Sequence, residues 1–474
     1  MRGKKLGPFL LSGLMVGPVL GSGIFILPPL VYGEAGEWAL PAWMITVCLN
    51  AVFAFVFGFL SIRFPGSGGV SDAIAHAFGI RAGMLASLYL ISAVIFGPAA
   101  VLLTIAQYLP LPPVFPEAAE WLAAGVFSGQ GEQGQRMLLA LGLVGPGYVL
   151  LLQRIRAVGT VALVLSSVSA VLLFAGGILV LALHDGGQPL LPETGSFETS
   201  VFGHALLMLF WIIVGWEVVG NYSGDVETPG RTIPRAVLGS VAAVTLVEMC
   251  VALAVQREAL PTAAGYGVAR LLYPLFGDAG QMVCALLVTA LCTTTYLMFV
   301  GGVARLVSSL AASLTSAIHV SSAFGTRSVV RGNRKYGRGA VAVFLPLLRL
   351  LERRNGADVP VGAVTLLCVA QAATLIACMA GLARLESLVS VASGFFLANA
   401  LMGIAAAIVM LHVPWQRGAA GLLATVLLVV LWQAAWFVLA VVAVLAVLCL
   451  VPWKSTQRRD MAAPLRVQGS EKRS

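Results

Sequence analysis

Charged side chains are scarce in this chain. Only 10% of its 474 residues are Asp, Glu, Lys or Arg, against about 25% in an average soluble domain. Hydrophobic residues make up 59%, and the mean hydropathy is +0.95. This composition excludes a soluble globular protein and predicts an all-α, multi-pass membrane protein embedded in a lipid bilayer.

Signatures of catalysis and of metal binding are also missing. The sequence has no His-Glu-x-x-His, no phosphate-binding Gly-x-x-x-x-Gly-Lys and no Gly-x-Ser-x-Gly elbow. Its seven cysteines form no Cys-x-x-Cys pair and lie in apolar segments, as small buried hydrophobes do. We therefore predict no enzyme activity, no cofactor and no bound metal. The net charge of +9 is typical of membrane topology and lipid headgroups, not of nucleic acid binding.

Hydropathy predicts twelve membrane spans, because about 20 apolar residues are needed to cross about 30 Å of hydrocarbon. The last two are short. The first is too long for a signal peptide and lacks a clear cleavage site, so we expect it to be retained. The predicted spans are 8–32, 38–62, 83–109, 137–153, 157–183, 202–223, 234–256, 279–311, 359–382, 386–411, 418–432 and 434–452.

Basic residues mark the cytoplasmic loops, since positively charged loops stay inside. Arginines and lysines precede span one and lie between spans two and three, four and five, and six and seven, whereas the alternate loops are acidic. Both termini are therefore predicted to be cytoplasmic. The extended loop 312–358 is also basic: Arg305–Asp358 holds nine basic and two acidic residues. It is either a lipid-attracted segment or a regulatory, partner-binding element. The tail 453–474 is polar.

Glycines interrupt the first span at Gly21-Ser22-Gly23, where a membrane helix should be regular. Glycine is costly inside a helix, and unwound backbone at bilayer depth persists only where it lines a cavity or is buried in protein. A second interruption, at Gly215, lies in the sixth span, and Glu217 follows it. Inverted-repeat transporters bind substrate between two such broken helices, five spans apart. The alternative is that these glycines only allow close helix packing.

Several segments resemble one transporter superfamily, the amino acid-polyamine-organocation superfamily. The stretches that carry the resemblance are Gly21–Phe25, Phe64–Val70 with Ala77–Gly79, Trp211–Glu217, and Thr228–Ala236 after Asp225. Within the superfamily, Phe96–Ala100, Ala304–Val307 and Ala392–Phe396 are most similar to the bacterial branch that exports methionine and branched-chain amino acids.

The resemblance implies a LeuT-type fold built of two inverted repeats of five spans, with helices one and six discontinuous. The repeats would cover 8–183 and 202–411, and 418–452 would form two peripheral helices. It also implies a bacterial inner (cell) membrane location and secondary active transport of amino acids, with neutral apolar ones such as methionine, leucine, isoleucine and valine exported by alternating access. The oligomeric state stays open. The alternatives are an uptake permease or exchanger of the same fold, and a sensor that binds without transporting.

An amino acid needs partners for its carboxylate and its ammonium. The amides of Ser22, Gly23 and Ile24 open a half-helix whose positive dipole end suits the carboxylate. The free carbonyls near Val19 suit the ammonium. By the family's pattern, carbonyls of Trp211 and Val214, beside Gly215, complete that site, and Trp211 is a gate. The side-chain pocket is expected to contain Phe96, Trp216, Phe395 and Asn399.

Proton coupling is the favoured hypothesis for the driving force, because two carboxylates, Glu217 and Glu248, lie within predicted spans. Some proton-coupled relatives place a lysine in the fifth helix, and none occurs in 157–183. Sodium coupling would need hydroxyls on the eighth helix. Thr293–Thr295 offers them, a turn or more from the level expected for a sodium site.

Overall fold

A computed structural model of the chain describes residues 6–64, 69–110, 131–183, 192, 197–258, 267–323, 345–434 and 436–450. Residues 65–68 of the resemblance, residues 324–344 of the basic loop and the tail 453–474 lie outside the described residues.

Helices form the membrane bundle. In the described residues, nine helices are long and apolar enough to span a membrane, and three shorter apolar helices complete the predicted set of about twelve. Two of the three short helices belong to interrupted spans. The spans in chain order are Pro8–Leu20 with Gly23–Ala35, Ala39–Arg63, Ile80–Tyr108, Gly131–Leu151, Ile155–Leu183, Thr199–Leu209 with Trp216–Val219, Pro229–Arg257, Gly280–Ala323, Val361–Met379, Leu385–Met410, Pro414–Trp432 and Trp436–Leu450.

The eighth span is longer than hydropathy indicated. It continues to Ala323 instead of ending at 311, because serine and alanine continue the helix after the apolar stretch ends. Part of the predicted loop 312–358 is therefore helical. Residues 345–352 form a further short helix, here called the loop helix, just before the ninth span.

The first span is held in the centre of the bundle by a face of small residues. A Cβ atom added at Gly13 would lie 2.4 Å from Leu163 Cα of the fifth span, and one added at Gly17 would lie 2.4 Å from Thr294 Oγ1 of the eighth. Glycines four residues apart share one helix face and let neighbouring backbones approach closely. Packing against spans five, seven and eight thus fixes where the interruption after Leu20 lies.

A backbone contact joins the two interrupted spans at one end of the bundle. Leu6, just before the first span, forms a parallel bridge with Val226, just after the sixth. The N–H of Glu227 donates to the carbonyl of Leu6 at 3.1 Å. The entry to one broken span and the exit of the other are therefore linked by main-chain atoms.

Candidate functional site

The first span is broken where the sequence predicted. Its first helix ends at Leu20, Gly21 adopts a positive φ of 35°, and the second helix begins at Gly23. A positive φ favours glycine, because a Cβ would clash there. The carbonyl of Ser22 accepts from the N–H groups of Phe25 and Ile26, both at 3.2 Å. The amides that open the second helix therefore lie at a helix N-terminus, an arrangement that suits a carboxylate.

The sixth span is broken in the same way. Its first helix ends at Leu209, a 3-10 turn covers Phe210–Ile212, and a short helix restarts at Trp216. Gly215 lies between them with a φ of 136°. The Oε2 of Glu217 accepts the N–H of Gly215 at 3.0 Å, so a carboxylate lies at the N-terminus of the restarted helix, where the helix dipole favours negative charge. Both predicted discontinuities are confirmed.

The two breaks contact each other. The indole Nε1 of Trp211 donates to Ser22 Oγ at 3.0 Å. A Cβ added at Gly23 would lie 2.9 Å from Ile212 Cγ2 and 3.2 Å from Trp211 Cδ1, both distances shorter than ordinary contact. Packing alone therefore explains why position 23 is a glycine, apart from any role in binding. Only a residue without a side chain lets the broken segments approach so closely.

A narrow cavity of ≈ 10 Å³ lies beside this contact. Such a volume holds about one water molecule, whereas ligand pockets usually measure about 300–1,000 Å³. The cavity as described is therefore too small to hold an amino acid. Spans three, six, eight and ten line the cavity through Gly97, Pro98, Val101, Trp211, Val214, Thr295, Phe299 and Phe396.

Four residues expected in the side-chain pocket, Phe96, Trp216, Phe395 and Asn399, do not line this cavity. Phe395 turns instead toward Tyr89, with ring centroids 6.4 Å apart. Its neighbour Phe396 takes the cavity position, because consecutive helical residues point about 100° apart. Likewise Gly97, not Phe96, faces the cavity.

The other two expected pocket residues, Trp216 and Asn399, are buried in the protein interior. Trp216 is buried and donates from Nε1 to Asn50 Oδ1 of the second span at 2.6 Å. Asn399 is fully buried, and neither its Oδ1 nor its Nδ2 has a partner in the described part of the chain. A buried amide without partners is costly. Asn399 lies one turn after Phe396 on the tenth span, near the same helix face.

The sequence reasoning also missed residues on the third and eighth spans. Val101 follows Gly97 by four residues, and Phe299 follows Thr295 by four, so each pair shares one helix face. The sequence suggests Thr295 only as a hydroxyl for a sodium site. Its Oγ1 donates to Gly17 O of the first span at 3.3 Å, one turn before the break. Helix periodicity from Gly97 was the signal that could have found Val101.

Glu217 and Glu248 are both fully buried. Glu217 keeps Oε1 without a partner, and Glu248 has none for either oxygen, among the described residues. Glu248 lies on the seventh span, two turns before Gln256, whose Oε1 accepts the N–H of Leu40. A buried charge without partners is costly, and a proton on the carboxylate removes the charge. Both side chains are therefore chemically able to carry a proton.

No group of three or more histidine, cysteine, aspartate or glutamate residues lies close enough to hold a metal ion in the ranges that the structure covers.

Comparison with known proteins gives a consistent assignment. The profile of the family described as "Amino acid permease" matches residues 6–463. The L-methionine/branched-chain amino acid exporter of Escherichia coli (strain K12) is 25% identical over 314 residues, covering 62% of this chain and 67% of the exporter.

Two further relatives are also transporters. The large neutral amino acids transporter small subunit 2 of Rattus norvegicus is 27% identical over 259 residues, covering 52% of this chain and 45% of that protein. The serine/threonine exchanger of Bacillus subtilis (strain 168) is 22% identical over 247 residues, 52% of each chain. The matched region thus spans about half the length of these two relatives.

The family match extends over nearly the whole chain and includes both broken spans. It confirms the resemblance to the amino acid-polyamine-organocation superfamily and, with the all-helical bundle and its two discontinuous spans, the LeuT-type fold. The relatives are transporters and not enzymes. This chain belongs to the amino acid permease family of membrane transporters.

Proposed function

We propose that this protein is a secondary active transporter that exports neutral apolar amino acids, such as methionine, leucine, isoleucine and valine, by alternating access. The observation that carries the proposal is the direct contact between the two broken spans, through Trp211 Nε1 and Ser22 Oγ. Two unwound segments that meet in the bundle supply amides and carbonyls for a zwitterion. The name of the Escherichia coli relative supports the substrate class and the direction.

In the proposed complex, the substrate carboxylate accepts from the amides of Ser22, Gly23 and Ile24. The ammonium donates to carbonyls of Val19, Trp211 and Val214, beside Gly215. The apolar side chain extends toward Phe299 and Phe396, which with Val101 give the cavity a wall without charge. A wall of this kind favours apolar substrates, since a charged side chain would lose its hydration without gaining a partner.

Proton coupling through Glu217 is part of the proposal. Glu217 lies at the sixth-span break, bonded to the N–H of Gly215, so a change in its charge acts on the backbone that would bind the ammonium. Glu248 is the second candidate. The positive-inside pattern supports cytoplasmic termini and a bacterial inner membrane location.

The test is flux of labelled amino acids into liposomes that contain the purified protein. Methionine and the branched-chain amino acids should be transported and should compete with one another, whereas lysine and glutamate should not compete. Flux only in the presence of an amino acid on the opposite side would favour an exchanger, as the name of the Bacillus relative suggests for that protein. Ligand binding without any flux would favour a sensor.

The bond between Trp211 and Ser22 should contribute to transport as a pair. Trp211→Phe and Ser22→Ala each remove one partner, and a hydrogen bond of this kind contributes about 1 kcal/mol, or about fivefold in kcat/KM. We expect the double variant to lose less than the sum of the single variants. The measurement is initial methionine flux for all four proteins. Strictly additive losses of methionine flux would show that the hydrogen bond does not contribute to transport.

The two neighbouring phenylalanines should differ in their effect on selectivity. Phe396→Ala enlarges the cavity, so phenylalanine should compete with labelled methionine about tenfold better relative to leucine. Phe395→Ala is the matched control, because its ring packs toward Tyr89 and away from the cavity. The measurement is the ratio of the two inhibition constants in each variant. A change in that ratio caused by Phe395→Ala alone would place the pocket on the other helix face.

A further inference from the structure

A groove of ≈ 510 Å³ lies at the edge of the bundle, where the loop helix (345–352) packs against the start of the ninth span. It is far larger than the cavity at the broken helices and shares no residue with it. Its position before an odd-numbered span places it on the cytoplasmic side, given the orientation proposed above.

The groove is built into the fold. A Cβ added at Gly362 would lie 1.9 Å from the carbonyl oxygen of Leu350, so the loop helix rests directly on the first turn of the ninth span. Asn355 fixes the connection between them. Its Nδ2 donates to Leu152 O at the end of the fourth span, and its Oδ1 accepts the N–H groups of Ala357 and Val359. At the other side, the hydroxyl of Thr315 donates to Glu352.

Apolar and basic side chains are segregated along the groove. Leu347, Leu350, Leu366 and Val369 line one part and are 45–62% exposed. From Val361 to Val369 this surface runs about 12 Å along the ninth span, at 1.5 Å per residue. This apolar surface starts at the cytoplasmic end of the ninth span, where the span would enter the hydrocarbon. Lipid acyl chains would therefore contact it.

The basic end of the groove carries Arg353 and Arg354. Arg354 is paired with Asp358 at 2.9 Å. Arg353 is exposed and has no ion pair within the described residues. One arginine is therefore free for an anion at the level where the apolar surface ends. Arg349 also is exposed on the loop helix, but it does not line the groove.

We propose that this groove binds one anionic phospholipid of the cytoplasmic leaflet. The phosphodiester is held by Arg353, whose guanidinium matches the geometry of phosphate oxygens. An acyl chain lies along Leu366 and Val369. The occupant must combine an anion with a long apolar chain, since the groove offers both partners side by side. The proposal concerns a lipid site and is independent of which amino acid is transported.

Native mass spectrometry of the full-length protein in detergent with added phosphatidylglycerol tests this site directly. We expect one adduct that persists at the lowest lipid concentrations. Arg353→Gln should weaken it about fivefold, the effect of one basic residue facing an anionic lipid. Arg349→Gln is the matched control, because it removes an equal charge four residues away, outside the groove. It should leave the first adduct unchanged. Phosphatidylcholine and inorganic phosphate should not displace phosphatidylglycerol.

Three outcomes would overturn the proposal. Equal losses in Arg353→Gln and Arg349→Gln would mean diffuse attraction to a basic surface. Displacement by inorganic phosphate would mean an anion site without a lipid chain. Unchanged binding in Arg353→Gln would place the lipid elsewhere. A second variant, Val369→Asp, puts a carboxylate on the apolar part and should weaken the same adduct without altering Arg353. Because the readout is binding, it is unaffected if the protein proves to be an exchanger or a sensor.

Discussion

Replacing Gly23 by leucine is expected to reduce methionine flux about tenfold to hundredfold. The added side chain would begin 2.9 Å from Ile212 Cγ2 and 3.2 Å from Trp211 Cδ1, so the two broken spans could no longer meet. Overpacking of a close contact costs about 1–3 kcal/mol, which corresponds to this range of rates. In the proposed complex, the same side chain would also crowd the substrate carboxylate. The measurement is initial flux in liposomes.

The control for this variant is Gly145→Leu. Gly145 lies on the fourth span with nothing within 4 Å of an added Cβ, so leucine there adds the same atoms without a clash. It should retain parental flux. Both proteins must elute as single peaks in detergent, with similar melting temperatures, so that misfolding is not mistaken for a transport defect. Parental flux in a well-folded Gly23→Leu protein would show that the first-span break is not part of the binding site.

Replacing Glu217 by glutamine is expected to uncouple transport from the proton gradient. Glutamine keeps an oxygen that can accept the N–H of Gly215, now at 3.0 Å from Glu217 Oε2, but it cannot take up a proton. For exchange of one proton per amino acid, a gradient of one pH unit should raise the accumulation of methionine on the acidic side about tenfold. In Glu217→Gln this accumulation should vanish, while exchange of methionine for methionine continues.

Two comparisons make this experiment decisive. Glu248→Gln removes the other buried carboxylate and should keep the response to the pH gradient. If it alone abolishes the response, the proton is carried on the seventh span. An imposed sodium gradient is the second comparison, because Thr295 Oγ1 contacts Gly17 O and hydroxyls with carbonyls can form a sodium site. Accumulation driven by sodium and indifferent to pH would replace the proton mechanism.

Local sequence was sufficient for the framework of this fold. Hydropathy located the spans, and Gly21 and Gly215 marked both breaks because each adopts a positive φ that other residues rarely accept. Side-chain directions were harder. Phe395 and Phe396 are equally apolar, so only the rotation of the tenth span decides which one faces the cavity. That rotation is set by packing against distant spans, which one sequence does not reveal.

Tertiary partners were beyond prediction for the same reason. The sequence predicts Trp216 in the side-chain pocket but does not reveal that its indole bonds to Asn50, 166 residues away. The sequence predicts the loop helix only as part of the extended loop 312–358, because this segment is neither long nor apolar enough to resemble a span. Its position depends on Gly362 and Asn355 contacting elements that are remote in sequence.

The backbone link between Leu6 and the segment Val226–Glu227 has a consequence for how this protein should be studied. The alternating access proposed above would separate the broken spans at one face and then the other, so this link would have to loosen when its end opens. Main-chain atoms make the link, and alanine or cysteine scanning leaves main-chain atoms in place. Such a scan therefore does not change this backbone link. The substitution Glu227→Pro, which removes the donating N–H, or an ester in place of that amide would break the bond to Leu6 O.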